Sequence, residues 1–275
     1  MSAKFHFISG LPRSGSTLLS SILRQNPAFT ANISSPVAPM LTSILQQFSA
    51  GSEHASQVST MQRQALCKGL FENYYTEQQD KQVIFDTNRL WCARLPLLQQ
   101  LFPQSKVIAC VRNVAWIMDS IERLYNKDPL ENSRLFNDDA ERNTVYSRTE
   151  ALANTNRMVG FAWTALKEAY YSPHAKSVLL VDYQLLTEAP DKVMRLIYQF
   201  IDEPWFEHDF NNLSFDTPQF DQNLGLSGLH SIRPKLAVTA RQTVLPPDVF
   251  ERFNTMNFWD TDTSSAANVI RIKQP

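Results

Sequence analysis

A short segment near the amino terminus combines two glycines, an arginine and several hydroxyls. It contains Gly10-Leu-Pro-Arg-Ser-Gly-Ser-Thr17, and its Gly-x4-Gly spacing is typical of loops that surround phosphate groups with backbone N–H groups. Alternating apolar residues before it predict a strand, and apolar residues at helical spacing after it predict a helix. The first N–H groups of a helix lack intrahelical acceptors and carry partial positive charge. The segment therefore predicts an oxyanion site, with a plain tight turn as the structural alternative.

The cation of this loop differs in position from that of nucleoside triphosphate enzymes. Their loops continue Gly-Lys-Ser/Thr, where the lysine reaches the terminal phosphates and the hydroxyl holds magnesium. Here Ser16 stands in place of the lysine, and the cation is Arg13, inside the turn. We therefore expect an oxyanion to bind without the lysine and metal, while a P-loop kinase or nucleotide hydrolase stays open as an alternative.

A second candidate anion site follows another predicted strand. Arg112 comes directly after the apolar run at residues 106–111, and Ser120 lies eight residues further on, about two helical turns. An arginine fork can hold a phosphate through two hydrogen bonds, and a serine hydroxyl adds one more donor. Together with the first loop, this pair predicts a ligand that carries two anionic groups.

Strands and helices alternate along most of the chain. We expect strands over residues 4–9, 82–85, 106–111 and 177–181. This order favours an α/β fold of the P-loop-type three-layer kind, a central parallel sheet flanked by helices. Ligands in such sheets bind beyond the carboxyl ends of the strands. The predicted helices cover residues 18–23, 37–48, 60–75, 95–102, 148–171, 190–201 and 249–256, with another that carries Ile117, Ile121 and Leu124.

The remaining segments are interpreted as loops or as a tail. Residues 26–36, 126–145 and 204–235 lack periodicity, and the polar tail from about residue 261 is expected to be frayed. A loop as long as 204–235 in a compact domain is usually functional.

At residues 11–17 the chain resembles the 5′-phosphosulfate loop of sulfotransferases that use 3′-phosphoadenosine-5′-phosphosulfate (PAPS), and it is most similar to their tyrosylprotein-sulfotransferase-like branch. The resemblance implies sulfuryl transfer from PAPS, as co-substrate, to a hydroxyl acceptor. It is strong over residues 5–25 and 106–125 and weaker elsewhere. The loop residues that it implies in donor binding are Pro12, Arg13, Ser14, Gly15, Ser16 and Thr17.

The same resemblance implies further donor contacts. Arg112 and Ser120 match the family's 3′-phosphate motif, although Asn113 and Val114 replace the usual Asp-Pro or Asp-Gly. Tyr183 corresponds to a tyrosine that contacts the nucleotide. Arg233 and Lys235 loosely match a late Arg-Lys-Gly stretch that closes over the 3′-phosphate. For Tyr183 a core role, and for the two late cations a solvated loop, are the structural alternatives.

The catalytic residues are where the chain departs from the family. Related enzymes keep a lysine near the transferred group; here the segment is Asp86-Thr-Asn-Arg89, and Arg89 is the expected replacement. The tyrosylprotein enzymes use a glutamate as base, and residues 34–36 (Ser-Ser-Pro) replace that stretch. We therefore predict Asp86 as the base, with His230 as its rival. A peptide tyrosine, a carbohydrate hydroxyl and a small-molecule alcohol all stay open as acceptors.

Composition narrows the class of protein. With 275 residues, of which 43% are hydrophobic, one domain over residues 1–275 is expected. A net charge of −1 indicates neither nucleic acid nor an anionic membrane as partner. Scattered histidines and three unpatterned cysteines predict no metal and a cytoplasmic protein, consistent with the lack of a signal peptide or apolar span. A homodimer and a catalytically silent nucleotide-binding module stay open.

Overall fold

Six parallel strands form one sheet in the order β2-β3-β1-β4-β5-β6. The computed structural model describes residues 3–49, 51–78, 80–127, 134–213, 221, 230 and 242–271. All pairings between neighbouring strands are parallel, which confirms the predicted α/β fold. The strands are β1 (Lys4–Gly10), β2 (Phe29–Ala31), β3 (Val83–Thr87), β4 (Val107–Val111), β5 (Val178–Asp182) and β6 (Asn268–Val269).

Helices connect the strands, as parallel pairing requires. Within the described ranges, no helix is long and apolar enough to cross a membrane. The helices are α1 (Ser16–Leu23), α2 (Val37–Gln47), α3 (Thr60–Tyr74), α4 (Leu90–Ala93), α5 (Leu95–Leu101), α6 (Val114–Tyr125), α7 (Asp139–Arg142), α8 (Val145–Ala153), α9 (Met158–Tyr171), α10 (Tyr183–Glu188), α11 (Pro190–Ile201), α12 (Pro247–Asn254) and α13 (Phe258–Thr261), with 3₁₀ turns at Ala55–Gln57, Thr76–Gln78 and Ala175–Ser177.

Each face of the sheet buries its own apolar cluster, because successive strand residues point to opposite faces. On one face Phe7 packs against Trp91, with ring centroids 5.2 Å apart, in the cluster that includes α3, α4, α5, α6 and α9. On the other face Ile8 joins the cluster of α1 and α11, with Leu19 and Ile22. The sheet thus lies between two helical layers, as predicted.

Several segments differ from the sequence prediction, among them residues 126–145, which were interpreted as a loop but contain α7. Residues 26–36, interpreted as a loop, contain β2, and the tail expected to be frayed contains β6, which pairs with β5. The single helix expected over residues 148–171 is α8 followed by α9. The two helix ends approach so closely that a Cβ on Gly160 would lie 2.2 Å from the Ala153 carbonyl oxygen. The short strands escaped prediction because two or three residues show no periodicity.

The strand register brings the candidate segments to one edge of the sheet. Gly10 is aligned with Cys110, and Val111 is aligned with Asp182. The loop after β1, Arg112 after β4 and Tyr183 after β5 therefore leave the sheet side by side. The turn with Arg89 follows β3, the other neighbour of β1.

Candidate active site

The loop between β1 and α1 has the backbone of an anion cradle. Gly10 and Gly15 have φ values of +102° and +94°, in the left-handed region that glycine adopts without strain. A Cβ on Gly10 would lie 2.1 Å from the Cys110 carbonyl oxygen, so only glycine permits this contact with β4. Gly15 occupies the N-cap of α1, and among the described residues no side chain caps that helix. Its first N–H groups are therefore suited to an anionic ligand.

Some residues of the loop are buried in the protein, and others are partly exposed to solvent. The Ser14 hydroxyl is buried and donates to the carbonyls of Leu11 and Cys110, the latter at 2.8 Å. Ser14 can therefore serve a ligand through its backbone N–H but not through this hydroxyl in the observed conformation. Pro12 and Thr17 are buried, whereas Arg13, Gly15 and Ser16 are partly exposed.

Arg13 joins the two predicted anion sites. Its Nε donates to Ser120 Oγ at 3.1 Å, and Nη1 of Arg112 donates to the Arg13 carbonyl oxygen at 3.3 Å. Arg13 itself has a φ of 57°, which is uncommon outside glycine and occurs often at functional turns. The residues predicted for the two ends of the donor thus lie in direct contact, although 107 positions separate Arg13 from Ser120.

Tyr183 contacts both sides of this cluster. The guanidinium carbon of Arg112 lies 4.7 Å from the centroid of the Tyr183 ring, a cation–π contact. A Cβ on Gly15 would lie 2.7 Å from Cδ2 of the same ring. Asp182 starts α10 by accepting hydrogen bonds from the backbone N–H groups of Gln184 and Leu185. The structure therefore brings Tyr183 together with the loop and Arg112, and its contact with a nucleotide stays a prediction.

We expect the Tyr183 ring to support recognition of the 3′-phosphate by Arg112. Tyr183→Leu should lower the affinity ratio of adenosine 3′,5′-bisphosphate to adenosine 5′-monophosphate by about tenfold, because the cation–π contact is lost. Tyr183→Phe keeps the ring and should keep the ratio. Isothermal titration calorimetry with the two nucleotides measures both. If Tyr183→Leu leaves the ratio at its wild-type value, the ring does not support recognition of the 3′-phosphate.

Asp86 does not have the surroundings of a general base. It lies inside β3, is 0% exposed, and accepts hydrogen bonds from Ser35 Oγ at 2.6 Å, Tyr75 Oη at 2.8 Å and Trp91 Nε1 at 2.8 Å. Burial raises the pKa of its carboxyl group, and the three hydrogen bonds oppose that rise. A base must come within hydrogen-bond reach of the acceptor hydroxyl, so this geometry argues against the predicted role. The sequence prediction ended the strand at residue 85, whereas β3 continues to Thr87.

Arg89 lies on the turn that follows β3. Its side chain is exposed, yet the surrounding protein desolvates the guanidinium and lowers its pKa. Part of Arg89 therefore reaches solvent, while the charged end of the side chain is surrounded by protein atoms. Ser9 Oγ donates to the Arg89 carbonyl oxygen at 3.1 Å, which ties the turn to β1.

His230 and Asp221 form a hydrogen-bonded pair close to both arginines. Nδ1 of His230 lies 2.6 Å from Asp221 Oδ1, and the His230 backbone N–H donates to Oδ2 at 3.0 Å. Burial lowers the pKa of His230, Asp221 raises it, and the charges of Arg13 and Arg89 lower it, with a net decrease. A lowered pKa favours the neutral imidazole at pH 7. With Nδ1 donating to Asp221, Nε2 carries the lone pair of a base.

Some predictions lie outside this geometry. Arg233 and Lys235 belong to residues that the structure does not describe. Sequence reasoning considered His230 but missed Asp221, since no spacing rule links two residues in an aperiodic loop. The described part of the chain contains no group of three or more His, Cys, Asp or Glu side chains that could hold a metal ion.

The chain is similar to known proteins in both sequence and fold. A family model described as "Sulfotransferase family" matches residues 6–207. Protein-tyrosine sulfotransferase 1 of Danio rerio is 24% identical over 206 residues, which cover 72% of this chain and 53% of that protein. The match thus spans about half the length of this relative.

Two solved structures have a similar fold. The sulfotransferase domain from the curacin biosynthetic pathway has a TM-score of 0.57 at 16% identity, covering 92% of this chain and 96% of that one. The sulfotransferase from Alicyclobacillus acidocaldarius has a TM-score of 0.51 at 14% identity, covering 82% and 90%.

Proposed function

Because this chain belongs to the sulfotransferase family, we propose that it transfers a sulfuryl group from PAPS to a hydroxyl of an acceptor. The observation that carries the proposal is the cluster of Arg13, Arg112, Ser120 and Tyr183 beside the His230–Asp221 pair. It combines two sets of anion-binding groups, which follow β1 and β4, with a histidine that can act as a base. The positive charge of these groups fits a donor that carries a 5′-phosphosulfate and a 3′-phosphate.

Each donor end has its own protein groups. The N–H groups at the start of α1 and the Arg13 guanidinium would hold the 5′-phosphosulfate. Arg112 and Ser120 would hold the 3′-phosphate. Ser120 Oγ accepts a hydrogen bond from Arg13. With phosphate bound, the Ser120 hydroxyl would keep that bond and donate its own proton to the phosphate. Arg13 is thus placed to respond to both ends of the donor.

When bound, PAPS supplies an activated sulfuryl group. Nε2 of His230 would take the proton from the acceptor hydroxyl while Asp221 holds Nδ1. The acceptor oxygen forms its bond to sulfur, the bond between sulfur and the 5′-phosphate oxygen breaks, and adenosine 3′,5′-bisphosphate leaves with the electron pair. Arg13 and Arg89 would stabilise the negative charge on the oxygens during this transfer.

The acceptor is proposed only as a hydroxyl. The name of the Danio rerio relative makes a tyrosine peptide the first acceptor to try, followed by a carbohydrate and simple alcohols. The described cysteines, Cys67, Cys92 and Cys110, are buried free thiols, which supports the proposed cytoplasmic location.

The function is tested by ligand binding and by turnover. Adenosine 3′,5′-bisphosphate should raise the melting temperature, since a ligand at 100 times its Kd contributes about 2.7 kcal/mol. ATP with magnesium should give a smaller rise. Transfer from ³⁵S-labelled PAPS to the acceptor panel should continue with EDTA present. Stabilisation by ATP–magnesium alone, with no label transferred, would instead indicate a P-loop kinase or hydrolase.

The charges around His230 predict opposite pH shifts for two variants. The base must be neutral, so kcat/KM should rise with pH through the lowered pKa of His230 and level off by neutral pH. Arg89→Gln removes a charge that lowers this pKa and should move the acid limb to higher pH. Asp221→Asn removes the carboxylate that raises the pKa of His230 and should move the acid limb of the profile to lower pH. Shifts in the same direction for both variants would contradict His230 as the titrating group.

A further inference from the structure

We infer that Asp86 is a positioning residue, which holds the Arg89 turn and residues 34–36 on the acceptor side of the site. The inference rests on the proposed function, since it assigns Arg89 to the transferring group. It replaces the role of base with a different one, in which Asp86 acts through its hydrogen-bond partners.

Asp86 is the meeting point of three separate segments. Ser35 belongs to the connection after β2, Tyr75 is the C-cap of α3, and Trp91 lies in α4. All three side chains donate to the Asp86 carboxylate. The carboxylate and its partners are each 5% exposed or less. A buried polar group that gathers three donors fixes their relative positions, because each unmet donor would be costly.

Two of these segments are tied to the Arg89 turn. The Ser35 backbone N–H donates to the Thr87 carbonyl oxygen at 3.1 Å, and Nδ2 of Asn88 donates to the Ser35 carbonyl oxygen at 3.3 Å. On the other side of Arg89, the Trp91 backbone N–H donates to the Asn88 carbonyl oxygen at 3.2 Å. The residues before and after Arg89 are thus joined to partners of Asp86. The Arg89 side chain depends on this backbone for its direction.

The chemistry of the partners determines which substitutions keep this arrangement. The indole N–H of Trp91 can only donate, whereas the hydroxyls of Ser35 and Tyr75 can donate or accept. An asparagine at position 86 can turn its amide oxygen to Trp91 and its NH₂ group to the two hydroxyls, which then accept. A leucine of similar volume offers no acceptor and leaves all three donors unpaired. The role of base, by contrast, is lost equally in both variants.

The donor-binding residues lie on other elements. Arg13 follows β1, Arg112 follows β4 and Tyr183 follows β5, whereas the described side-chain hydrogen bonds of Asp86 go to Ser35, Tyr75 and Trp91. Disturbing Asp86 should therefore affect transfer more than donor affinity. This separation distinguishes positioning of the acceptor side from general loss of structure.

The test compares Asp86→Asn and Asp86→Leu. Asp86→Asn should keep kcat for sulfuryl transfer within about threefold. Asp86→Leu should lose on the order of 100-fold, as small displacements of catalytic groups do, while binding adenosine 3′,5′-bisphosphate within about threefold of wild type. In an Arg89→Ala background, Asp86→Leu should cost little more, because the two act through one path. A 100-fold loss in Asp86→Asn with normal nucleotide affinity would overturn the proposal and make Asp86 the base.

A readout without turnover separates this inference from the proposed function. In protein labelled with ¹⁵N-tryptophan, and with Trp91→Phe used for assignment, the Trp91 indole N–H should exchange with solvent slowly in wild type and Asp86→Asn. It should exchange at least tenfold faster in Asp86→Leu, since its acceptor is gone. Equal exchange rates in all three would overturn the positioning role. Slow exchange in a protein that transfers no label from PAPS would reject the proposed function alone.

Discussion

Replacing His230 with glutamine is expected to lower kcat for sulfuryl transfer by two orders of magnitude or more, the usual contribution of a general base. The imidazole combines a lowered pKa, a carboxylate that holds Nδ1 at 2.6 Å, and two nearby arginines. Glutamine has similar size and can still donate to Asp221, but it cannot accept the proton. The Kd for adenosine 3′,5′-bisphosphate should change little, because the nucleotide groups lie on other elements.

The matched control for His230 is Asp221→Asn. Asparagine still accepts a hydrogen bond from Nδ1 but carries no charge, so a smaller loss of kcat is expected than for His230→Gln. Single-turnover measurements with preloaded PAPS isolate the chemical step from product release. If His230→Gln keeps most of the wild-type rate, His230 is not the base, and another group takes the proton from the acceptor hydroxyl.

Replacing Arg112 with alanine is expected to weaken the binding of adenosine 3′,5′-bisphosphate by on the order of 2–4 kcal/mol, the cost of losing a charge-assisted bidentate contact. Adenosine 5′-monophosphate, which lacks the 3′-phosphate, should bind the variant nearly as it binds wild type. Arg112 is partly exposed and is held by the Tyr183 ring and the Arg13 carbonyl oxygen. Its removal should therefore affect folding less than binding.

Two further variants complete the test of Arg112. Arg112→Lys keeps the charge but loses the planar fork, so an intermediate affinity is expected. Ser120→Ala removes one hydroxyl and should cost about 1 kcal/mol. Calorimetric titration with the two nucleotides measures all of these values, and thermal melting checks folding. An unchanged affinity ratio in both Arg112→Ala and Ser120→Ala would mean that the 3′-phosphate binds elsewhere.

The anion loop was predictable because its signals are local. A strand, a glycine turn and a helix start follow one another within residues 4–23, and glycine at Gly10 and Gly15 meets a backbone requirement that the spacing already indicates. Arg112 and Tyr183 were placed at strand ends by the same reasoning, because parallel strands align their carboxyl ends at one edge.

The pairing of distant residues was decided by the tertiary structure. Arg13 reaches Ser120 across 107 positions, and His230 lies 2.6 Å from Asp221 and within range of the charges of two arginines. No periodicity records such contacts, which depend on how the elements pack.

The surroundings of Asp86 depend on the residue at which β3 ends. A side chain inside a strand points into one of the two helical layers, whereas a residue beyond the last strand residue can point to the open edge. Asp86 was expected beyond the end of its strand, at the open edge. With β3 continuing to Thr87, its carboxylate lies instead beneath α3 and α4, among Tyr75 and Trp91. The sequence by itself identified candidate anion-binding residues at the strand ends, whereas packing against two helices decided that this carboxylate is enclosed.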